Sequence, residues 1–330
     1  MADTWDVVAP QLNGVGTYRP GDLEGKLYST TSDGRLYEWD GVDEWVQKAP
    51  QLSSQTMYMY VLSVFDGKIY AGTSQDGRLF EWNGTNAWVQ KAPKYSSDTL
   101  IYATCVYDGK LYASTSNGNL LEWNGTNAWV RKAPGLAGHT QVINLCVYDG
   151  KLYGCTFQSA ALLEWNGIDT WVVKATQLSG ITGVYCLCVY NDKLYGGCSG
   201  NGNLLEWNGT NAWVQKATIN LKIVYSLAVY GDKLYGGVNN GLLYEWDDVD
   251  TWVDVTPGYS GTLSSFIYVF NSRLYGATGA GKLLRWTKVV STGFVYRWDG
   301  TDWVTVPVKR WDGSAWVTVS VKKYNGTSWV

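Results

Sequence analysis

Histidine is almost absent from this chain: among 330 residues there is one, His139. No motif sets a serine or cysteine near it, which argues against a hydrolytic triad and leaves His139 as a loop residue beside Gly138. A basic excess is absent as well. The 26 Lys and Arg against 29 Asp and Glu give a formal net charge of −3, too little positive field to hold a phosphate backbone or an anionic bilayer. No uncharged apolar run approaches the roughly 18 residues of a membrane helix. Residues Met1-Ala2-Asp3-Thr4-Trp5 have neither the basic nor the apolar part of a signal segment. We therefore expect a soluble protein without a secretion signal, without membrane insertion and without a nucleic-acid partner.

Cofactor motifs are missing too. There is no P-loop, dinucleotide fingerprint or calcium loop, and pairs such as Asp66-Gly67 lack the flanking oxygen ligands a calcium ion needs. The 6 cysteines include no CxxC pair for zinc. Cys105, Cys146 and Cys188 fall in one slot of successive repeats, where other repeats place Ser63 or Ala228, and Cys155 and Cys198 stand among Gly, Ala, Ser and Thr. They read as small packing residues, free thiols in a reducing compartment. No cofactor, no metal and no enzymatic activity are expected.

What the chain does have is repetition. Lys-Leu-Tyr or a variant begins at Lys26, Lys68, Lys110, Lys151, Lys193, Lys233 and Arg273; a Trp closes the third strand at 39, 82, 123, 165, 207, 246 and 286; the period is 39 to 43 residues. Within one unit, three alternating runs are punctuated by Asp-Gly, Gly and Asn-Gly, the chemistry of antiparallel hairpins. In the second unit the strands are expected at about 60–65, 68–73, 78–82 and 87–91. A second Trp follows the first by six residues at 45, 88, 129, 171, 213 and 252 but not in the seventh unit. The N-terminal Thr4-Trp5-Asp6-Val7-Val8-Ala9-Pro10 is a copy of that missing strand. Closing a ring with it removes two sheet edges. The fold expected is all-β: a seven-bladed β-propeller of four-stranded blades over residues 1–286, closed by the N-terminal strand, followed by a short β-hairpin repeat tail over 287–330.

Asp-Gly-Lys-Leu-Tyr, a Gly-Gly step, an aromatic, Asn-Gly-Thr-Asn-x-Trp and a closing Ala-Pro together resemble the kelch repeat, a family of propeller blades commonly closed by a strand from the opposite terminus. The glycine pair is complete at Gly196-Gly197 and Gly236-Gly237, and the link between second and third strands is shorter than in kelch repeats. In the tail, Trp298-Asp-Gly-Thr-Asp-Trp303, Trp311-Asp-Gly-Ser-Ala-Trp316 and Tyr324-Asn-Gly-Thr-Ser-Trp329 recur every 13 residues. Each resembles the outer hairpin of a blade with a turn one residue shorter. Such arrays are similar to those of tail-fibre and other structural proteins of tailed bacteriophages. That resemblance implies attachment to other virion structural proteins through residues 287–330, a virion location, or homo-oligomerisation by the tail.

Strand alternation puts the first and third turns of every blade on one face of the disc, and the second turn and the interblade loop on the other. The first face is nearly invariant between repeats, whereas the interblade loops differ, which marks them as the candidate ligand surface. A tyrosine recurs at the start of the innermost strand, at Tyr18, Tyr60, Tyr102, Tyr185 and Tyr225, where it serves either interblade packing or contact with a sugar or peptide. Arg19, Tyr95, His139, Lys222 and Tyr259 are further candidates in the loops. A glutamate before the first Trp (Glu38, Glu81, Glu122, Glu164, Glu206, Glu245) recurs too regularly for a catalyst, and Lys48, Lys91, Lys132, Lys174 and Lys216 can pair with it diagonally. Asn-Gly-Thr at Asn83, Asn124, Asn208 and Asn325 matches a glycosylation sequon but reads as turn chemistry. The function expected is a non-enzymatic virion structural or receptor-binding protein that presents variable loops to a host-surface glycan or protein. The alternative is a soluble multivalent lectin with equivalent sites between blades. An enzyme would need two carboxylates converging on one pocket.

Overall fold

In the computed structural model the described residues are 4–10, 12, 20–52, 59–220, 222–256, 263–278 and 281–287, with 295–298, 303–306, 309–311 and 316–318 further on. The chain divides into two compact units, one spanning Thr4–Thr287 and the other drawing on Lys288–Val330. The first unit holds seven four-stranded antiparallel sheets. Blade 2 is typical: its strands are Met59–Phe65, Lys68–Thr73, Leu79–Trp82 and Trp88–Ala92, each within about one residue of the sequence expectation.

Local chemistry explains each hairpin. Asp66 and Gly67 both take positive φ (48° and 67°), the left-handed pair that a tight turn between right-twisted strands requires. The third turn is built differently from the two-residue turn that Asn-Gly suggests. Asn83 N–H donates to the Ala87 carbonyl at 3.0 Å, and Asn83 Oδ1 accepts from the backbone N–H groups of Thr85, Asn86 and Ala87 at 2.9, 2.9 and 3.0 Å. The side chain is the hub of a five-residue loop. Asp40 does the same for Val42, Asp43 and Glu44, which is why Asp and Asn interchange here.

Ring closure is as the sequence expects. The strand Thr4–Ala9 is the fourth strand of the seventh sheet, beside Leu283–Thr287, with Trp5 opposite Trp286 as Trp45 is opposite Trp39. It packs in both directions: Trp5 joins Tyr235, Ile267 and Leu284 on one side, Val8 and Ala9 join Leu27, Trp39 and Phe270 on the other. Small residues in the second strand make room for the outer indole. A Cβ on Gly196 would lie 3.3 Å from Trp213 Cη2 and 2.9 Å from Val184 Cγ1, and one on Gly276 would lie 3.2 Å from Trp5 Cη2. The first strands of neighbouring blades crowd the axis, so the core is a circle of junction clusters.

Of the tail, two two-stranded sheets are described, Val295–Trp298 with Trp303–Val306 and Lys309–Trp311 with Trp316–Thr318. Trp298 pairs with Trp303 and Trp311 with Trp316, the same cross-strand Trp pair as in the blades. The third repeat, around Tyr324, lies outside the described residues.

Candidate functional site

Alternation along the second strand puts Lys and Tyr of Lys-x-Tyr on one side of the sheet, directly against the recurring glutamate: Tyr70 is opposite Glu81 and Tyr112 opposite Glu122. In six blades the tyrosine hydroxyl donates to that carboxylate at 2.6 to 2.9 Å. In blades 1–5 the lysine of the same strand reaches the carboxylate at 2.9 to 3.4 Å, and the outer-strand lysine at 3.4 to 3.8 Å. The sequence pointed to the second of these lysines only. The tyrosine ring then meets the third-strand Trp of the next blade at centroid distances of 5.1 to 5.6 Å, and Lys48, Lys91, Lys132 and Lys174 lie 5.9 to 6.0 Å above the same indoles. The glutamate is thus the centre of an interblade clamp.

Burial alone would raise these carboxyls, but in Glu38, Glu81, Glu122, Glu164 and Glu206 the donating Tyr and Lys groups outweigh it and hold the pKa below 4.5. A carboxyl lowered in the folded state contributes stability that is complete above the unfolded pKa and is lost as pH falls through the folded one. We expect the unfolding free energy to be flat above about pH 5 and to fall steeply below the usual glutamate pKa of about 4.3. Urea midpoints across pH 2.5 to 7 check this, and Glu122→Gln should make the acid slope shallower.

A second tyrosine bars the groove above each clamp where it is present. At the end of the first strand, Tyr107, Tyr148 and Tyr190 pack on the next blade's Trp, and their hydroxyls donate to the turn carbonyls of Gly150, Asp192 and Asp232 at 3.0, 2.9 and 3.0 Å. The equivalent residue is Leu23 in blade 1, Phe65 in blade 2 and Phe270 in blade 7, and Phe65 fills its groove against Trp123 without the hydroxyl. Clefts open beside Phe270 and Leu23: about 510 Å³ between blades 7 and 1, about 340 Å³ between blades 1 and 2. Both lie on the face of the short, regular turns, not on the variable-loop face.

The loop-face candidates are spread out. Tyr185 and Tyr225 meet edge to face at 5.0 Å, with Phe157 5.5 Å from Tyr185, and neither tyrosine hydroxyl bonds to another described residue. Burial, then Tyr225, raises the Tyr185 pKa. Tyr102 is half-buried at the same strand position. Tyr95 is half-buried against the junction of blades 2 and 3, and Lys222 is half-buried in the loop before Val224. Tyr60 lies in a described strand, but its side chain, like Tyr18, Arg19 and Tyr259, lies outside the described residues. His139 does have a serine neighbour, which no motif revealed: Nδ1 is 3.0 Å from Ser159 Oγ, and Ser159 Oγ is 2.7 Å from Thr156 Oγ1. Thr156 Oγ1 in turn accepts from Ala161 N–H at 2.9 Å, so the chain of hydroxyls braces a turn. A narrower axial pocket of about 210 Å³ is lined by Asn144, Cys186, Leu187, Leu227 and Ile267.

All six cysteines are free thiols. Burial pushes the Cys105 thiol up to about 11 and those of Cys146 and Cys188 to about 12, as suits inert packing residues. Among the described residues no group of three His, Cys, Asp or Glu side chains could hold a metal ion, and no helix is long and apolar enough to cross a membrane.

No family model matches this chain. No curated protein matches it either. Among solved structures it is similar to YCF48 from Cyanidioschyzon merolae, with 14% identity and a TM-score of 0.65 over 85% of this chain and 98% of that one. A structure of YCF48 bound to D1 peptide gives 13% identity and a TM-score of 0.68 over 88% and 97%. Virginiamycin B lyase from Staphylococcus aureus with quinupristin, in a catalytically inactive form, gives 12% and 0.68 over 87% and 100%. At such identities the likeness shows the seven-bladed fold and nothing finer.

Proposed function

We propose that this chain is a non-enzymatic structural or receptor-binding component of a phage particle, whose propeller presents a ligand surface and whose tail fastens it to another chain. The tail carries the reading. Its hairpins repeat the outer half of a blade, Trp opposite Trp, as separate two-stranded sheets. An isolated hairpin of this kind is marginal in water, so it needs a partner to cover its aromatic rings. The similarity to tail-fibre repeats supplies the kind of partner, another virion structural protein or a second copy of the tail.

The propeller favours binding over catalysis for a stated reason: in six blades the recurring glutamate is engaged by a tyrosine of its own blade, and the histidine braces a turn. Fold alone does not decide this, since similar propellers include a peptide-bound protein and a lyase. Deleting residues 288–330 should leave a folded propeller that no longer enters particles or oligomers. Unchanged assembly and unchanged adsorption to host cells would overturn the reading. The lectin alternative is favoured by one observation, the two clefts between blades. A glycan array with stoichiometry separates the two: several equivalent sites per chain support the lectin, one site or none the particle component.

A further inference from the structure

The junction between blades 7 and 1 departs from the repeat in three places at once. Phe270 replaces the barring tyrosine, so no hydroxyl crosses to the Gly25 carbonyl, although its ring keeps the usual pose, 6.4 Å from Trp39. Arg273 replaces the second-strand lysine. Arg285 replaces the clamp glutamate and sits directly opposite Tyr275. Val8 stands where the outer-strand lysine would be, so of the clamp's donors the tyrosine and a second-strand cation remain while the carboxylate is gone. Tyr275 packs on Trp39 at 5.7 Å like every other clamp tyrosine but has no glutamate in its own blade to donate to. Arg285 pairs with Asp6 at 3.6 Å, and Arg273 has no carboxylate partner among the described residues.

The largest of the described clefts lies over this spot, lined by Lys26, Glu38, Asp40, Asn271, Arg273 and Tyr275. Two of these are acidic and must be accounted for. Glu38 is held by Lys26, Tyr28 and Lys48 in its own clamp, and Asp40 Oδ1 is occupied by three turn N–H groups. The unmatched charge is that of Arg273, beside a phenol. Burial raises the Tyr275 pKa while Arg273 and Arg285 act against that.

We infer that the cleft between blades 7 and 1 binds an acidic sugar residue, whose carboxylate takes the place of the missing clamp glutamate on Tyr275 and Arg273. Arg is suited to such a planar, two-oxygen acceptor. The sugar's hydroxyls have acceptors at hand in the Gly25 carbonyl, which a tyrosine serves at other junctions, and in the free oxygen of Asp40. The inference rests on the propeller being a ligand-presenting body and is indifferent to what the tail holds.

Titration of the full chain with glucuronate, galacturonate and N-acetylneuraminate, followed by calorimetry and saturation-transfer NMR, tests it. Glucose, galactose and sodium acetate serve as controls. At least one acidic sugar should bind with one site per chain, at least tenfold tighter than every control. Two variants close the site by restoring what other blades carry: the double substitution Asp6→Val with Arg285→Glu rebuilds the clamp, and Phe270→Tyr rebuilds the bar. Each should weaken binding tenfold or more without lowering the urea midpoint. Acidic sugars no better than acetate or the neutral sugars would overturn the inference, as would undiminished binding by both variants. Cell adsorption unaffected by variants that have lost sugar binding would refute this site as the receptor site while leaving the receptor-binding reading standing.

Discussion

Removing residues 1–9 should make the propeller aggregate and lose its cooperative unfolding. The deletion takes away the fourth strand of blade 7, exposes the whole Leu283–Thr287 edge, and uncovers the clusters on both sides of that blade. An unpaired apolar edge is a template for other chains. The milder probe is Trp5→Ala. Trp5 is buried and its ring lies over Gly276, so the loss should be about 3–5 kcal/mol. Urea unfolding measures both, and light scattering reports the aggregation. A deletion variant that scatters no more light than the full chain and keeps the original midpoint would mean that the strand is dispensable.

The second large effect is expected at the clamp. Glu81 is buried, and its carboxylate is shared by Tyr70 at 2.6 Å, Lys68 and Lys91. Glu81→Ala leaves a buried phenol without an acceptor and two ammonium groups without a counter-charge, and should cost about 2–3 kcal/mol. Glu81→Gln keeps an acceptor and should cost about half of that. The Lys contacts contribute little to either figure because both side chains reach water. A cycle with Tyr70→Phe isolates the hydroxyl's share: the double variant should be less destabilised than the two single effects added together. Strict additivity would show that tyrosine and glutamate act independently.

The spacing of two Trp residues carried most of the architecture, because a pair six residues apart can only flank one hairpin and its absence from the seventh unit points to the N-terminus. The turn chemistry was legible in part. Asn-Gly announced a turn, but the hub role of the Asn83 side chain depends on a five-residue loop that the dipeptide does not reveal. The clamp was half legible: Glu and the outer-strand Lys were seen as diagonal partners, while the tyrosine hydroxyl and the second lysine were not. Period-two alternation in Lys-x-Tyr was the available signal, since it puts both residues on the glutamate's side. What sets the junction of blades 7 and 1 apart is a combination, Phe270 without a hydroxyl and Arg285 standing where other blades carry Glu. Such single-residue breaks matter only once neighbouring blades are known to share the groove.

Tyr18, expected at the start of an inner strand, and Arg19 and Tyr259, expected in interblade loops, lie outside the described residues. Tyr185 and Tyr225 meet as strand direction requires, because equivalent positions of adjacent inner strands converge on the axis.

The odd junction of blades 7 and 1 exists only if the ring closes between the two ends of the propeller chain. Hydrogen exchange of the full chain, read by mass spectrometry on peptides covering residues 4–9 and 283–287, is the direct measurement. Closure predicts that both peptides exchange together, as slowly as the inner strands Lys151–Thr156 and Lys193–Cys198. Rapid exchange of residues 4–9 beside a protected 283–287 would contradict it.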